Sequence, residues 1–128
     1  MLEAAERESL LAAAVRYYGD GAFAECEGVL RALIALAPDD PRPWQLLGSS
    51  QLLNNRRTKA RASYEKARAL APADPYTLVA LAEIYLDDLE IREAVAVLED
   101  LFALENAATE PVERGRRLAR QAAARLGG

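Results

Sequence analysis

Cys26 is the one thiol in this 128-residue chain, and there is no histidine. A hydroxyl or thiol nucleophile therefore has no imidazole to activate it, and a zinc site of Cys and His ligands cannot be assembled. A single cysteine also excludes an internal disulfide, which fits a reducing compartment. The acidic pairs Asp39-Asp40 and Asp87-Asp88 lack the alternating oxygen-ligand spacing of a calcium loop, so they read as turn residues. There is no Gly-rich phosphate loop and no plausible catalytic pair. The basic run Arg56, Arg57, Lys59, Arg61, Lys66 and Arg68 offers charge, yet the chain as a whole has 16 basic and 20 acidic residues and a net charge of −4. A nucleic-acid partner wants the opposite balance. With 52% hydrophobic residues, the chemistry left is that of apolar contact. An enzyme is not expected, nor a metal or cofactor.

The elements that position these residues follow from an internal repeat. Pro38-Asp39-Asp40-Pro41 recurs further along the chain as Pro72-Ala73-Asp74-Pro75. In a frame opened at Pro41, Trp44, Leu47, Gly48, Ala60, Tyr64, Ala67 and Pro72 fall at positions 4, 7, 8, 20, 24, 27 and 32. This is the tetratricopeptide pattern, departing from it at position 11, where Gln51 replaces an aromatic. One frame on stand Leu78, Leu81, Ala82, Tyr85, Ala94, Leu98 and Leu101; one frame back stand Leu10, Ala13, Ala14, Tyr17, Cys26, Leu30 and Leu33. Small residues at 8 and 20 let paired helices approach, and large ones at 4, 7, 11 and 24 fill the space beside them. The reading is one all-α domain over 1–128, with repeats 7–40, 41–74 and 75–108 stacked as a right-handed α-solenoid. Helices are predicted near 3–18, 23–37, 42–54, 58–71, 76–88 and 92–105, with Thr58 as an N-cap. Cys26, Trp44 and the tyrosines at repeat positions read as packing residues.

Residues 109–126 are predicted to be a capping helix, opened by Thr109 and Pro111, with Val112, Gly115, Ala119, Ala122 and Leu126 as its apolar stripe. Its five arginines (114, 116, 117, 120 and 125) are expected to match acids of the last repeat: Asp87, Asp88, Glu90, Glu93, Glu99 and Asp100. The apolar run Leu10 to Val15 is far short of a membrane span, and the acidic N-terminus is unlike a signal peptide. A cytoplasmic location is expected.

The first helix of each hairpin carries a second stripe, at positions 2, 5, 9 and 12, which the repeat geometry turns toward a concave groove. Leu11, Val15 and Tyr18 stand there with Glu8; then Gln45, Ser49 and Leu52 with Arg42 at the mouth; then Tyr76, Val79 and Leu86, broken by Glu83. An apolar strip with polar interruptions suits an extended apolar peptide. The alternative is packing against neighbouring helices or a second copy of the chain. The Lys and Asn residues with which some co-chaperones clamp a C-terminal carboxylate are missing from the matching positions.

The stretches Tyr17-Tyr18-Gly19-Asp20-Gly21-Ala22-Phe23, Leu30-Arg31-Ala32-Leu33, Trp44-Gln45-Leu46-Leu47-Gly48-Ser49-Ser50-Gln51, Ala62-Ser63-Tyr64-Glu65-Lys66-Ala67 and Ala82-Glu83-Ile84-Tyr85-Leu86 resemble the class II chaperones of bacterial type III secretion systems. That family escorts pore-forming translocators. The resemblance implies a non-catalytic chaperone in the bacterial cytoplasm. It would hold an extended segment of a hydrophobic secretion substrate on Leu11, Val15, Tyr18, Gln45, Ser49, Leu52, Tyr76, Val79 and Leu86. A chaperone for the needle subunit of the same apparatus, or a scaffold acting through protein assembly or self-association, are the alternatives. The family carries a longer segment for self-association before its first repeat; a homodimer remains one expectation.

Overall fold

The computed structural model describes residues 3–127. Among them every regular element is an α-helix: α1 (Ala4–Gly19), α2 (Phe23–Leu36), α3 (Pro41–Leu53), α4 (Arg57–Leu70), α5 (Pro75–Asp87), α6 (Ile91–Phe102) and α7 (Thr109–Gly127). The chain divides into two compact units, one ending at Leu70 and the other beginning at Ala71. In the first, α1 packs on α2, and α3 lies between α2 and α4; in the second, α5 packs on α6 and α7, which also pack on each other. No helix among the described residues is long and apolar enough to cross a membrane.

The helix starts are written in the repeat. Pro41 and Pro75 open α3 and α5, where a missing N–H costs nothing. Asp40 and Asp74 cap them, the first accepting from Arg42 N at 3.0 Å and the second from Thr77 N at 2.8 Å. Thr58, expected as the cap of α4, instead lies inside its first turn: Ala60 N donates to Arg56 O, which puts the cap at Arg56.

The turn between the helices of each hairpin repeats the same hydrogen bonds. Gly21, Asn55 and Leu89 donate to the carbonyls of Tyr18, Leu52 and Leu86, and the next residues, Ala22, Arg56 and Glu90, donate to Tyr17, Gln51 and Tyr85. This is a helix C-terminus closed by a left-handed residue. Gly21 (φ +72°) and Asn55 (φ +59°) suit that conformation, whereas Leu89 (φ +62°) does not.

Packing follows the size alternation. The small residues Ala14, Gly48 and Ala82 at position 8, and Cys26, Ala60 and Ala94 at position 20, are all buried. A Cβ at Gly48 would lie 2.8 Å from the Tyr64 ring, so α3 and α4 touch through bare backbone and an aromatic face. Burial pushes the Cys26 thiol above its ordinary range, partly offset by the Ser50 hydroxyl beside it, so it stays an inert thiol. Gln51, in the aromatic's place, is buried and satisfied: its amide donates to Glu27 Oε1 (3.2 Å) and its carbonyl accepts from Ser63 Oγ (2.6 Å).

α7 begins one full repeat after the start of α5, where the first helix of a further hairpin would begin. Its buried residues are Pro111, Gly115, Leu118 and Ala122, so the apolar face is rotated from the expected stripe and leaves Leu126 exposed. Gly115 is pressed against α6: a Cβ there would lie 2.5 Å from Leu101 Cδ2.

These contacts predict opposite signs for two glycine substitutions. Gly48→Ala forces Tyr64 off its seat and is expected to destabilise the chain by about 1–3 kcal/mol. Gly28→Ala, in the middle of α2 with nothing within 4 Å of the new methyl, gains helix propensity of up to about 1 kcal/mol. Leu89→Gly removes left-handed strain at an exposed side chain and is expected to stabilise by about 1 kcal/mol. Chemical denaturation of the three variants beside the parent chain checks all three.

Candidate functional site

In the first unit the second stripes of α1 and α3 are in register. Glu8, Leu11, Val15 and Tyr18 each stand one full repeat before Arg42, Gln45, Ser49 and Leu52, and successive members within each helix are three or four positions apart, which keeps them on one face. The first pair is joined directly. Arg42 donates from both terminal nitrogens to Glu8, at 3.0 and 2.6 Å, and also reaches Asp40 at 2.7 Å. This fork of hydrogen bonds joins the first turns of α1 and α3, which both pack on α2. Beside it opens a cleft of about 200 Å³ walled by Leu11, Leu33, Pro43, the three charged groups of the fork and Arg7.

The remaining stripe residues divide by exposure. Val15 is 52% exposed. Leu11 and Tyr18 are half-buried because their inner edges pack on the core around Ala14, Leu30 and Leu47. Gln45, Ser49 and Leu52 are also half-buried, and the Ser49 hydroxyl is 2.6 Å from the Tyr64 hydroxyl. The first unit thus brings six expected site residues onto α1 and α3.

The second unit departs from the expectation. Tyr76 is 54% exposed, but Val79 and Leu86 are 0% and 1% exposed. They are closed in because α7 lies against α5, with two of its arginines reaching over the same helix. Arg114 pairs with Glu83, and Arg125 donates to the Leu86 carbonyl at 2.7 Å. Val79 and Leu86 are packing residues of this unit, not part of an open surface. The arginines also find other partners than the acids expected for them: Glu83 and a carbonyl for these two, and Glu113 on the same helix for Arg116. The basic residues at α4 include Arg56 facing Glu27 at 3.9 Å and Arg61 facing Glu65 at 3.6 Å.

The electrostatics at the mouth of the stripes have a clear sign. Hydrogen bonds from Arg42 hold the Glu8 and Asp40 carboxyls below their ordinary values of 4.5 and 3.8, and the two carboxylates raise the Arg42 guanidinium in turn. Carboxylates lowered in the folded state favour folding above the ordinary carboxylate range, and the contribution is lost as pH falls through their lowered midpoints. Arg42→Gln is expected to return both midpoints toward 4.5 and 3.8, read by carboxyl-carbon NMR titration, with the helices intact.

No family model matches the chain, and no curated protein matches it in sequence. Solved structures do. The Yersinia enterocolitica type III secretion translocator chaperone SycD, in an alternative dimer, is similar over 97% of this chain and 96% of its own, at 23% identity and a TM-score of 0.86. SycD in complex with a peptide of the translocator YopD matches at 24% identity over 95% and 93%, with a TM-score of 0.81. PcrH in complex with the chaperone binding region of PopD matches at 21% identity over 96% and 92%, with a TM-score of 0.80. The chain has an all-α tetratricopeptide-repeat fold, and it resembles the translocator chaperones in that fold along nearly its whole length.

Proposed function

We propose that this chain is a non-catalytic chaperone or adaptor that holds an extended apolar segment of a partner protein. In finer detail, the partner is a hydrophobic translocator of a type III secretion apparatus, kept soluble in the bacterial cytoplasm until export. The observation that carries the reading is Val15, half exposed in the middle of a stripe whose neighbours Leu11, Tyr18 and Leu52 each keep part of their apolar surface accessible. An extended peptide with spaced apolar side chains would set them against Leu11, Val15, Tyr18 and Leu52, with Gln45 and Ser49 offering polar contacts to its backbone. In the second unit, Tyr76 is the stripe residue of α5 that stays exposed. Further support comes from the likeness to chaperones whose structures contain translocator segments.

Co-expression with a candidate translocator should give a soluble complex that survives gel filtration. Val15→Glu places charge on an exposed side chain, so the chain still folds, and it is expected to weaken the complex at least tenfold. Wild-type binding by the Val15→Glu variant overturns the assignment of the face. Light scattering that shows the partner-free chain as a dimer broken by Val15→Glu makes self-association the occupant instead.

A further inference from the structure

The two stripes of the first unit differ in chemistry. On α1 the residues after Glu8 are Leu11, Val15 and Tyr18, all able to make apolar contact. On α3 the residues after Arg42 are Gln45 and Ser49, with Leu52 at the end. Gln45 and Ser49 are one turn apart on one side of the helix, and both are half-buried. One half of the face offers hydrocarbon, the other an amide and a hydroxyl.

The Ser49 hydroxyl is held in place from behind. Its oxygen lies 2.6 Å from that of Tyr64. Tyr64 is 6% exposed, and its ring is fixed against the bare backbone at Gly48. A phenol is a stronger acid than an aliphatic alcohol, so in this pair the phenol is the better donor and Ser49 Oγ the better acceptor. The Ser49 proton is then left for a third group, and a hydroxyl that already accepts a hydrogen bond donates more strongly in turn. Without the phenol, a helical serine turns back to the carbonyl four residues earlier, here that of Gln45. Resting on the reading that an extended partner occupies this face, we infer that α1 recognises the partner's side chains and α3 its main chain. Ser49 donates to a backbone carbonyl of the bound segment, and Tyr64 is the positioning residue that aims it. A helix cannot answer this donor, because its carbonyls are spent within it except in the last turn. An extended strand presents a free carbonyl whatever its side chains are, so α3 selects for conformation while α1 selects for apolar residues.

Limited proteolysis of the soluble translocator complex defines the protected segment. A synthetic peptide of that segment is the probe, its affinity for the intact chain read by isothermal titration calorimetry. Ser49→Ala and Tyr64→Phe are each expected to weaken binding about three- to tenfold, the range of one hydrogen bond. The double variant should lose no more than either single one, because Tyr64 acts through Ser49. The same peptide stapled as a helix should bind at least tenfold less tightly. Tyr64→Phe keeps the ring on Gly48, so lower stability to denaturant with unchanged affinity assigns the hydroxyl pair to packing and overturns the inference. Wild-type affinity in Ser49→Ala overturns it as well, as does a Tyr64→Phe loss that persists in the Ser49→Ala background, or equal binding of the stapled and linear peptides. In each of these cases Val15→Glu still weakens the complex, and the assignment of the face stands. If no complex forms, or Val15→Glu binds like the wild type, that assignment falls and the inference falls with it.

Discussion

In the first unit α3 meets α4 where Gly48 offers no side chain and the Tyr64 ring lies on the bare backbone. Much else in the unit depends on that distance. Two helices brought this near leave little room between them, so position 20 must be small as well, and Ala60 is fully buried. The neighbouring positions must be large enough to fill what the small residues leave. The Tyr64 and Ser49 hydroxyls also share a hydrogen bond, tying the packing between hairpin partners to a residue of the outward stripe. Gln51 obeys the same demand by a different means: a polar residue takes the aromatic's place, and Ser63 and Glu27 satisfy it from both sides.

The repeat made most of the fold legible. Positions 4, 7, 8, 20, 24 and 27 define which face of each helix is buried, and Pro-and-Asp starts with Gly or Asn turns place the ends closely. What escaped is local where the signal is absent. Leu89 adopts a left-handed backbone because the hydrogen bonds of the turn demand it, although leucine has no preference for that region. Thr58 looked like a cap from its type alone, while the geometry places it inside the first turn. On α7 the expected Gly115 and Ala122 are buried, but the face turns to take in Pro111 and Leu118 because the helix packs on both α5 and α6, which its own periodicity does not report.

The candidate site was legible only in part, for a different reason. Positions 2, 5, 9 and 12 carry three apolar residues each on α1 and α5 but only Leu52 on α3, and the pattern itself is indifferent to what covers them. On α1 the stripe keeps Val15 open; on α5 the same positions are taken up by α7, which buries Val79 and Leu86. Periodicity reports that a face is apolar, and its occupant is a tertiary fact. The Glu8–Arg42 fork shows what sequence can add: complementary charges one repeat apart, at the same position, are joined in space. Such exposed pairs contribute little to stability, and this one follows a register that packing of both helices on α2 sets.

The rule that builds the hairpins is broken in α7, which begins where a first helix of the repeat would begin but departs from the pattern at position 8. A following helix packed like α4 would require a small residue at position 8 of its partner, and α7 has Arg116 there. An arginine cannot be buried against an aromatic ring and bare backbone without a carboxylate to meet it. It stays at the surface instead, held by Glu113 on its own helix. A second helix packed as α4 is packed on Gly48 would have to displace that pair.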